Sequence, residues 1–315
     1  MTKVAIIKGN AYKATKEALK LTNFKNHIKS KKSIVIKPNL TVPLRSEDGI
    51  TTDINVIRAI LDQIPKTKNV VIAEGPGGTP KGFDTFKINN YNKLEDEYGV
   101  KLVDTNYDEY VTVRIKNPLA LKSIKISKTV FNSDFLISVA KLKVHCVAKV
   151  TGTLKNMMGA CPKEQKIRIH AYLQKSLVDL NTIKIPDFGV IDGIVANEID
   201  ECFPYPVKMG LILSSKDCVA LDAVSSRIMG INPKNVHHIW NAGKKGLGTS
   251  DIDKIEILGE KIENVERKFR MRHFNLTIEG QKMIARTLMS MKLYDWSYNN
   301  VFPIYRKIRS KVFKK

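Results

Sequence analysis

The chain has 315 residues, 43% hydrophobic and 27% charged, with a net charge of +22; that composition suits a globular protein with one large core or two smaller ones. No apolar run reaches membrane-spanning length, which excludes a helical membrane protein. Cys146, Cys161, Cys202 and Cys218 form no CxxC pair, which argues against a disulfide framework, a zinc ribbon and an iron–sulfur cluster.

In chain order, strand-like and helix-like segments alternate. Residues 4–7 are apolar and bounded by Gly9, and no signal-like stretch precedes them, so a cytoplasmic protein is expected. Residues 33–36 form a second strand, ended by Pro38. Asp53 is placed to cap a helix over residues 54–64, whose apolar positions recur at three- and four-residue steps. Residues 69–73 and 135–139 are buried-strand runs, with similar short runs at 190–191 and 211–213. Asp217 opens a helix over residues 219–228, and residues 255–258 form a last strand closed by Gly259. The alternation predicts an α/β fold: a mainly parallel sheet with helices on both faces.

Residues 1–261 read as the α/β domain, with two sub-domains split near 130–140 as a variant of that reading. From Ile262 onward the chain carries thirteen Lys or Arg against four Asp or Glu. Helices are predicted there over residues 277–291 and 301–313. Trp296, Tyr298, Phe302 and Tyr305 lie among basic residues, a pattern that suits a packing arm, an acidic membrane surface or, third, nucleic acid. A place at the inner face of the membrane would follow from the second.

Ligands of open α/β sheets bind beyond the carboxyl ends of strands, so the polar segments after each strand are the places to search. Lys37-Pro38-Asn39-Leu40 and Glu74-Gly75-Pro76-Gly77-Gly78 are two of them. The longest runs from Lys141 to Gly159 and holds Lys143, His145, Lys149, Thr151, Gly152, Thr153, Lys155 and Asn156; His170 follows on a helix. Lysines at a strand end attract a carboxylate or phosphate, and a histidine among cations stays neutral and exchanges a proton. A lysine among other cations loses its proton more readily. The His237-His238 pair, just before Ile239 and Trp240, reads as surface helix.

These segments, taken in order with Thr51-Thr52-Asp53, Val190-Ile191-Asp192-Gly193, Val219-Ala220-Leu221-Asp222-Ala223 and Met229-Gly230, resemble domain of unknown function family 362 over nearly all of residues 1–260. Many members of that family add a ferredoxin-like cysteine module, which this chain lacks. Where the family often has a Gly-Pro-rich segment after Asp192-Gly193, this chain has Ile194 to Tyr205 instead. A shorter stretch is similar to the core motif of the lactate racemase family: His145, Lys155 ten residues later, and a downstream histidine. That likeness implies a base at His145, an anchor for a nickel pincer nucleotide at Lys155 and a nickel ligand at His170.

The reading adopted from sequence is an enzyme, of isomerase, epimerase or oxidoreductase type, acting on a small anionic hydroxy acid or sugar acid. His145 and Lys155 are the catalytic candidates. Lys37, Asn39, Lys141, Lys143, Thr151, Gly152 and Asn156 are the substrate-binding candidates. His170, Glu74 and Asp192 are the candidates for a metal ion. The rival reading is a non-catalytic anion-binding protein that meets acidic lipid or RNA through its tail.

Overall fold

The computed structural model describes residues 1–77 and 84–271. Eleven strands are present among them: β1 (Thr2–Lys8), β2 (Ser33–Lys37), β3 (Asn69–Glu74), β4 (Lys101–Asp104), β5 (Tyr110–Arg114), β6 (Ser123–Ser127), β7 (Phe135–His145), β8 (Lys149–Thr151), β9 (Phe188–Asn197), β10 (Pro206–Ser215) and β11 (Ile255–Gly259). Nine of them form one sheet in the order β11-β1-β10-β9-β7-β2-β3-β4, with β8 returning on β7; β5 and β6 form a separate hairpin. The pairs β11–β1, β9–β7, β7–β2, β2–β3 and β3–β4 are parallel, while β1–β10, β10–β9 and β7–β8 are antiparallel. The fold is therefore α/β with a mixed, mostly parallel sheet, as the alternation predicts. The strand β7, which begins at Phe135, pairs with β2 on one side and β9 on the other, so one sheet spans both sides of that point in the chain.

The strands are apolar on both faces because helices cover both. Ala5 and Ile212 face a core shared with the helices Ala11–Leu21 and Ile54–Leu61, whereas Val4, Ile6, Leu211 and Leu213 face one shared with the helix Cys218–Ile228. Adjacent strand residues point to opposite sides, so a sheet covered twice needs the continuous β-branched runs seen here. Each fully buried Val, Ile or Leu contributes roughly 1.5–3 kcal/mol. Side-chain caps start the helices: Asp53 accepts from Asn55 N (2.8 Å), and Asp217 accepts from Ala220 N (2.9 Å).

The strand β7 departs from the expected element. Its apolar run ends at Val139, yet the strand continues six residues further, and all eleven of its residues are buried. Leu142 and Val144 enter the apolar core, while Lys141, Lys143 and His145 alternate with them on the opposite face. Those three are thus not on a loop after the strand but inside the sheet. Partners drawn from distant parts of the chain make that burial tolerable, as described below.

Residues 262–271 pack against this domain. Phe269 is buried, Met271 bridges to Ile199, and Arg270 forms an ion pair with Glu198 (2.5 Å). The helices expected over 277–291 and 301–313, and the basic aromatic extension they would form, lie outside the described residues. Among the described residues no helix is long and apolar enough to cross a membrane.

Candidate functional site

The strands β2, β3 and β7 are neighbours and parallel, so their carboxyl ends open on one side of the sheet. Lys37, the last residue of β2, places its ammonium 2.5 Å from the Glu74 carboxylate at the end of β3, both fully desolvated. Burial lowers the Lys37 pKa, and Glu74 partly offsets it. Asn156 crosses between strands. Its Oδ1 accepts from Asn39 Nδ2 (3.1 Å) and Lys37 Nζ (3.3 Å), and its Nδ2 donates to Lys37 O (3.0 Å) and Ser138 Oγ (3.1 Å). All four hydrogen-bonding positions of that amide are used within the protein.

The other lysines are also answered internally. Lys141 pairs with Asp192 (2.8 Å), whose carboxylate also accepts from Asp53 N and Ile194 N. Lys143 donates to the carbonyls of Ile50 (2.9 Å) and Glu201 (3.2 Å), and burial brings its pKa down to about 8. Lys166, not singled out from sequence, donates to Gly75 O (2.5 Å) and Asn106 Oδ1 (2.7 Å) and also falls to about 8 through burial. Gly152 lies against Asp222, whose carboxylate accepts from Thr153 N, Thr153 Oγ1 and Leu154 N at 2.6–3.0 Å and so fixes the start of the helix Thr153–Asn156. A side chain on Gly152 would overlap that carboxylate.

Lys155 differs from the rest. It is half-buried, and its Nζ has no hydrogen-bond or ion-pair partner among the described residues. Burial lowers its pKa, against the pull of Glu201. It is the leading charge acting on three histidines: His145, His170 and His238. Burial comes first in lowering each of their pKa values and Lys155 second, reaching about 4 for His170 and about 3 for His238, so all three are neutral.

Their tautomers follow from their partners. His145 Nδ1 accepts from the backbone N–H groups of Val147 (3.0 Å) and Ala148 (3.1 Å), so Nε2 carries the proton. That Nε2–H lies 3.8 Å from Glu201 Oε1. His170 Nδ1 faces the Lys166 carbonyl at 2.7 Å and must donate to it, leaving an Nε2 lone pair. His170 retains substantial water-accessible surface, while its lowered pKa reflects a dense protein surround. A ligand can reach its Nε2 from solvent. Sequence placed the His237-His238 pair on the surface; His237 is exposed, but His238 is fully buried.

Glu201 and Cys146 complete the cluster, and neither was singled out from sequence. Glu201 accepts from Cys146 N (3.0 Å) and from its thiol (3.1 Å). Burial opposes ionisation of Glu201, but the cationic surround and the Cys146 donors overcome it and hold the carboxyl below its usual range. Burial and then Glu201 push the Cys146 thiol far up, so it is no nucleophile. The segment carrying Glu201 is the one that departs from the family pattern. Asn197 side-chain bonds to Asp200 O, Phe203 O and Tyr205 N tie it down, and Ile199 sits in left-handed backbone (φ 67°), costly for a β-branched residue.

His145 thus meets Glu201, and Lys155 is the leading charge felt by His145, His170 and His238. Among the described residues the metal candidates Glu74, Asp192 and His170 form no cluster of converging donor atoms, and Glu74 and Asp192 are each held by a lysine. Donor atoms of His145, Cys146 and Glu201 do converge within 4.8 Å. A cation there needs the lone pair on His145 Nε2, and the two backbone donors at Nδ1 oppose that tautomer. A cofactor anchored on Lys155 with metal on His170 would meet a free amine and a free lone pair; the base role at His145 would meet a nitrogen already protonated. Of the substrate-binding candidates, Lys37, Asn39, Lys141, Lys143 and Asn156 are committed to internal bonds, and only Thr151 keeps an unpartnered buried hydroxyl.

Residues 34–227 match the family described as Domain of unknown function (DUF362), and the chain belongs to it. It is 25% identical over 232 residues to the thylakoid-associated protein sll1697 of Synechocystis sp., covering 70% of each chain. Among solved structures it is similar to the lactate racemase apoprotein from Thermoanaerobacterium thermosaccharolyticum, with a TM-score of 0.49 and 16% identity. That match covers 73% of this chain and 58% of the other.

Removing one member of the buried Lys37–Glu74 pair strands a desolvated charge. Lys37→Met is therefore expected to lose about 3–5 kcal/mol of stability. Lys37→Met with Glu74→Leu is expected to recover most of it, as measured by urea unfolding. The histidines set an acid limit. Free imidazoles protonate near 6.5, whereas the fully buried His238 resists protonation in the fold until about 3. The unfolded chain then binds more protons between those values, so stability falls as the pH drops from 6.5 toward 4. Urea midpoints across that range are expected to fall less steeply in His238→Phe.

Proposed function

We propose that this DUF362 member is an enzyme that binds a small carboxylate-bearing substrate, of the hydroxy-acid or sugar-acid class, and moves a proton within it. The observation that carries the reading is Lys155: a half-buried ammonium without a partner, among lysines that all have one. A partly desolvated cation left unpaired gains when an anion meets it. Lys155 would hold the substrate's charge. The His145 Nε2–H would donate to a substrate oxygen and stabilise negative charge that develops there, as a neutral electrophile does. The His170 Nε2 lone pair would take a proton from the adjacent carbon and return it to the other face or the neighbouring carbon. Such a cycle is an isomerisation or epimerisation, with no net gain or loss of electrons.

Lys155→Met is expected to abolish carboxylate binding, read by calorimetric titration, while leaving the melting temperature unchanged or slightly raised. The rise would come from removing an ammonium that burial disfavours. Loss of stability together with retained binding would instead place Lys155 among the structural lysines.

A second reading concerns location. The sequence from Ile262 onward is strongly basic and interleaved with aromatics, and the Synechocystis relative is named as thylakoid-associated. Both support attachment to an acidic membrane surface, where each basic residue contributes on the order of 1 kcal/mol. The full chain is expected to sediment with acidic liposomes, less so as salt rises, and a chain ending at Leu276 to stay in the supernatant. Tail-dependent binding to RNA but not to lipid would favour a nucleic-acid partner.

A further inference from the structure

Between Lys13 and Lys32 the chain has seven lysines, one glutamate and no arginine. The helix Ala11–Leu21 buries Ala11, Ala14 and Ala18 and turns Lys13, Lys16 and Lys20 outward, all three exposed. Their three- and four-residue spacing sets like charges side by side on one helix face, which destabilises the helix. The one acid there, Glu17, pairs with Lys20 (3.7 Å). Lys25 follows on the helix Phe24–Ile28 and is also exposed. These four lysines line one surface groove of about 630 Å³, with the amides of Asn23, Asn26 and Gln63 beside them.

The lysine face lies at the end of the sheet opposite the candidate site. Phe24 packs on Phe135 and Phe188, the first residues of β7 and β9, at ring-centroid distances of 6.4 and 5.0 Å. Lys31 and Lys32 precede β2, Lys68 precedes β3 and donates to Lys29 O (2.9 Å), and Lys216 follows the antiparallel β10. All of them therefore sit at the amino ends of the parallel strands, whereas the candidate site is built at the carboxyl ends. Asp134 and Asp187 lie at the same end, and the backbone amides of Lys32, Ser33 and Leu136 donate to their carboxylates. Lysine heads are point charges, and residues 13–32 offer no arginine fork and no exposed aromatic ring on which a base would stack. The neighbouring Tyr12 is half-buried, its hydroxyl bonded to Asp62 and its ring faced by the Lys16 ammonium at 5.3 Å. Such a face suits a broad anionic surface better than a nucleic-acid strand. We propose that it docks on an acidic lipid bilayer, with phosphate-bearing headgroups entering the groove, so that the candidate site opens away from the membrane toward a water-soluble substrate. The inference rests on the reading of the chain as membrane-attached and adds the part of the folded domain that meets the lipid. Two contacts on one chain reinforce each other, so loss of either weakens attachment.

Sedimentation of the full chain with vesicles of equal parts phosphatidylglycerol and phosphatidylcholine tests this. Lys16→Gln, Lys20→Gln and Lys25→Gln combined are expected to weaken partitioning about a hundredfold, roughly fivefold per lysine. Lys116→Gln, Lys122→Gln and Lys125→Gln combined, exposed on the hairpin of β5 and β6, remove the same charge and are expected to change it little. Acetylation footprinting of the wild type needs no variant: bound vesicles are expected to protect Lys16, Lys20 and Lys25 and to leave Lys122 and Lys125 reactive. Equal loss in the two triple variants, or equal protection of both sets of lysines, would overturn the docked face and leave a membrane attachment without fixed orientation. Failure of the wild type to sediment would overturn the membrane reading and the inference together. Binding of polyuridylate through the same three lysines, with no sedimentation on vesicles, would overturn the lipid partner in favour of a nucleic acid.

Discussion

Desolvated ammonium groups govern this molecule. Lys37, Lys141, Lys143 and Lys166 are buried at or beyond the carboxyl ends of adjacent strands, where a charge without a partner is expensive. Each is answered from a distant part of the chain: Glu74, Asp192, the carbonyls of Ile50 and Glu201, and the carbonyl of Gly75. The polar interior is thus a set of long-range constraints. It fixes how β2, β3, β7 and β9 end relative to one another, beyond what the apolar cores specify. Such a network does not itself make the protein stable, because a well-packed apolar substitute often does as well. What it supplies is a rigid, cationic setting in which Lys155 is the exception.

Close backbone approach makes the setting possible. A side chain on Gly159 would collide with the Glu74 carboxylate and the Lys37 ammonium, so the ion pair is packed directly against that backbone. Gly152 plays the same part beside Asp222, which anchors the turn leading to Lys155. Asp222 is pushed up to about 6 by burial, against the pull of its three donors. A carboxylate buried inside an apolar helix face is explained by this capping of another segment's helix, and it needs no metal.

The sequence made the apolar strands legible because their signal is local. Residues 33–36, 69–73 and 255–258 each lie inside the strand observed. It misplaced the second half of β7 because a lysine normally ends a buried run, and the partners that permit Lys141 and Lys143 inside a sheet lie 51 residues or more away. The same reasoning singled out His145, Lys155 and His170, since Gly, Thr and basic residues near a strand end are a local pattern. It misjudged His238, whose burial depends on one helix packing against another and on Gln174, 64 residues earlier. Glu201 was invisible for a related reason: its segment is tied down by Asn197 and Arg270, and only the folded chain turns it toward His145.

The arrangement of protons around Lys155 limits the chemistry more than the residue types do. A histidine is usually assigned as acid or base according to its pKa, but here all three rings are held neutral and their partners fix which nitrogen bears hydrogen. His145 presents a donor, whereas His170 and His238 present acceptors. A ligand oxygen that gains negative charge is therefore matched by His145 and Lys155, and a ligand group that gives up or shares a proton is matched by His170. A proton stored on the buried ring of His145 or His238 would place an imidazolium beside an ammonium, which desolvation disfavours, whereas the exposed ring of His170 can carry one between ligand atoms. Transfer through this site is then most favourable when the proton leaving one ligand atom is matched by charge developing on another that already has a donor. In the function proposed above, a hydroxyl next to a carboxylate or carbonyl would offer those two features on neighbouring atoms.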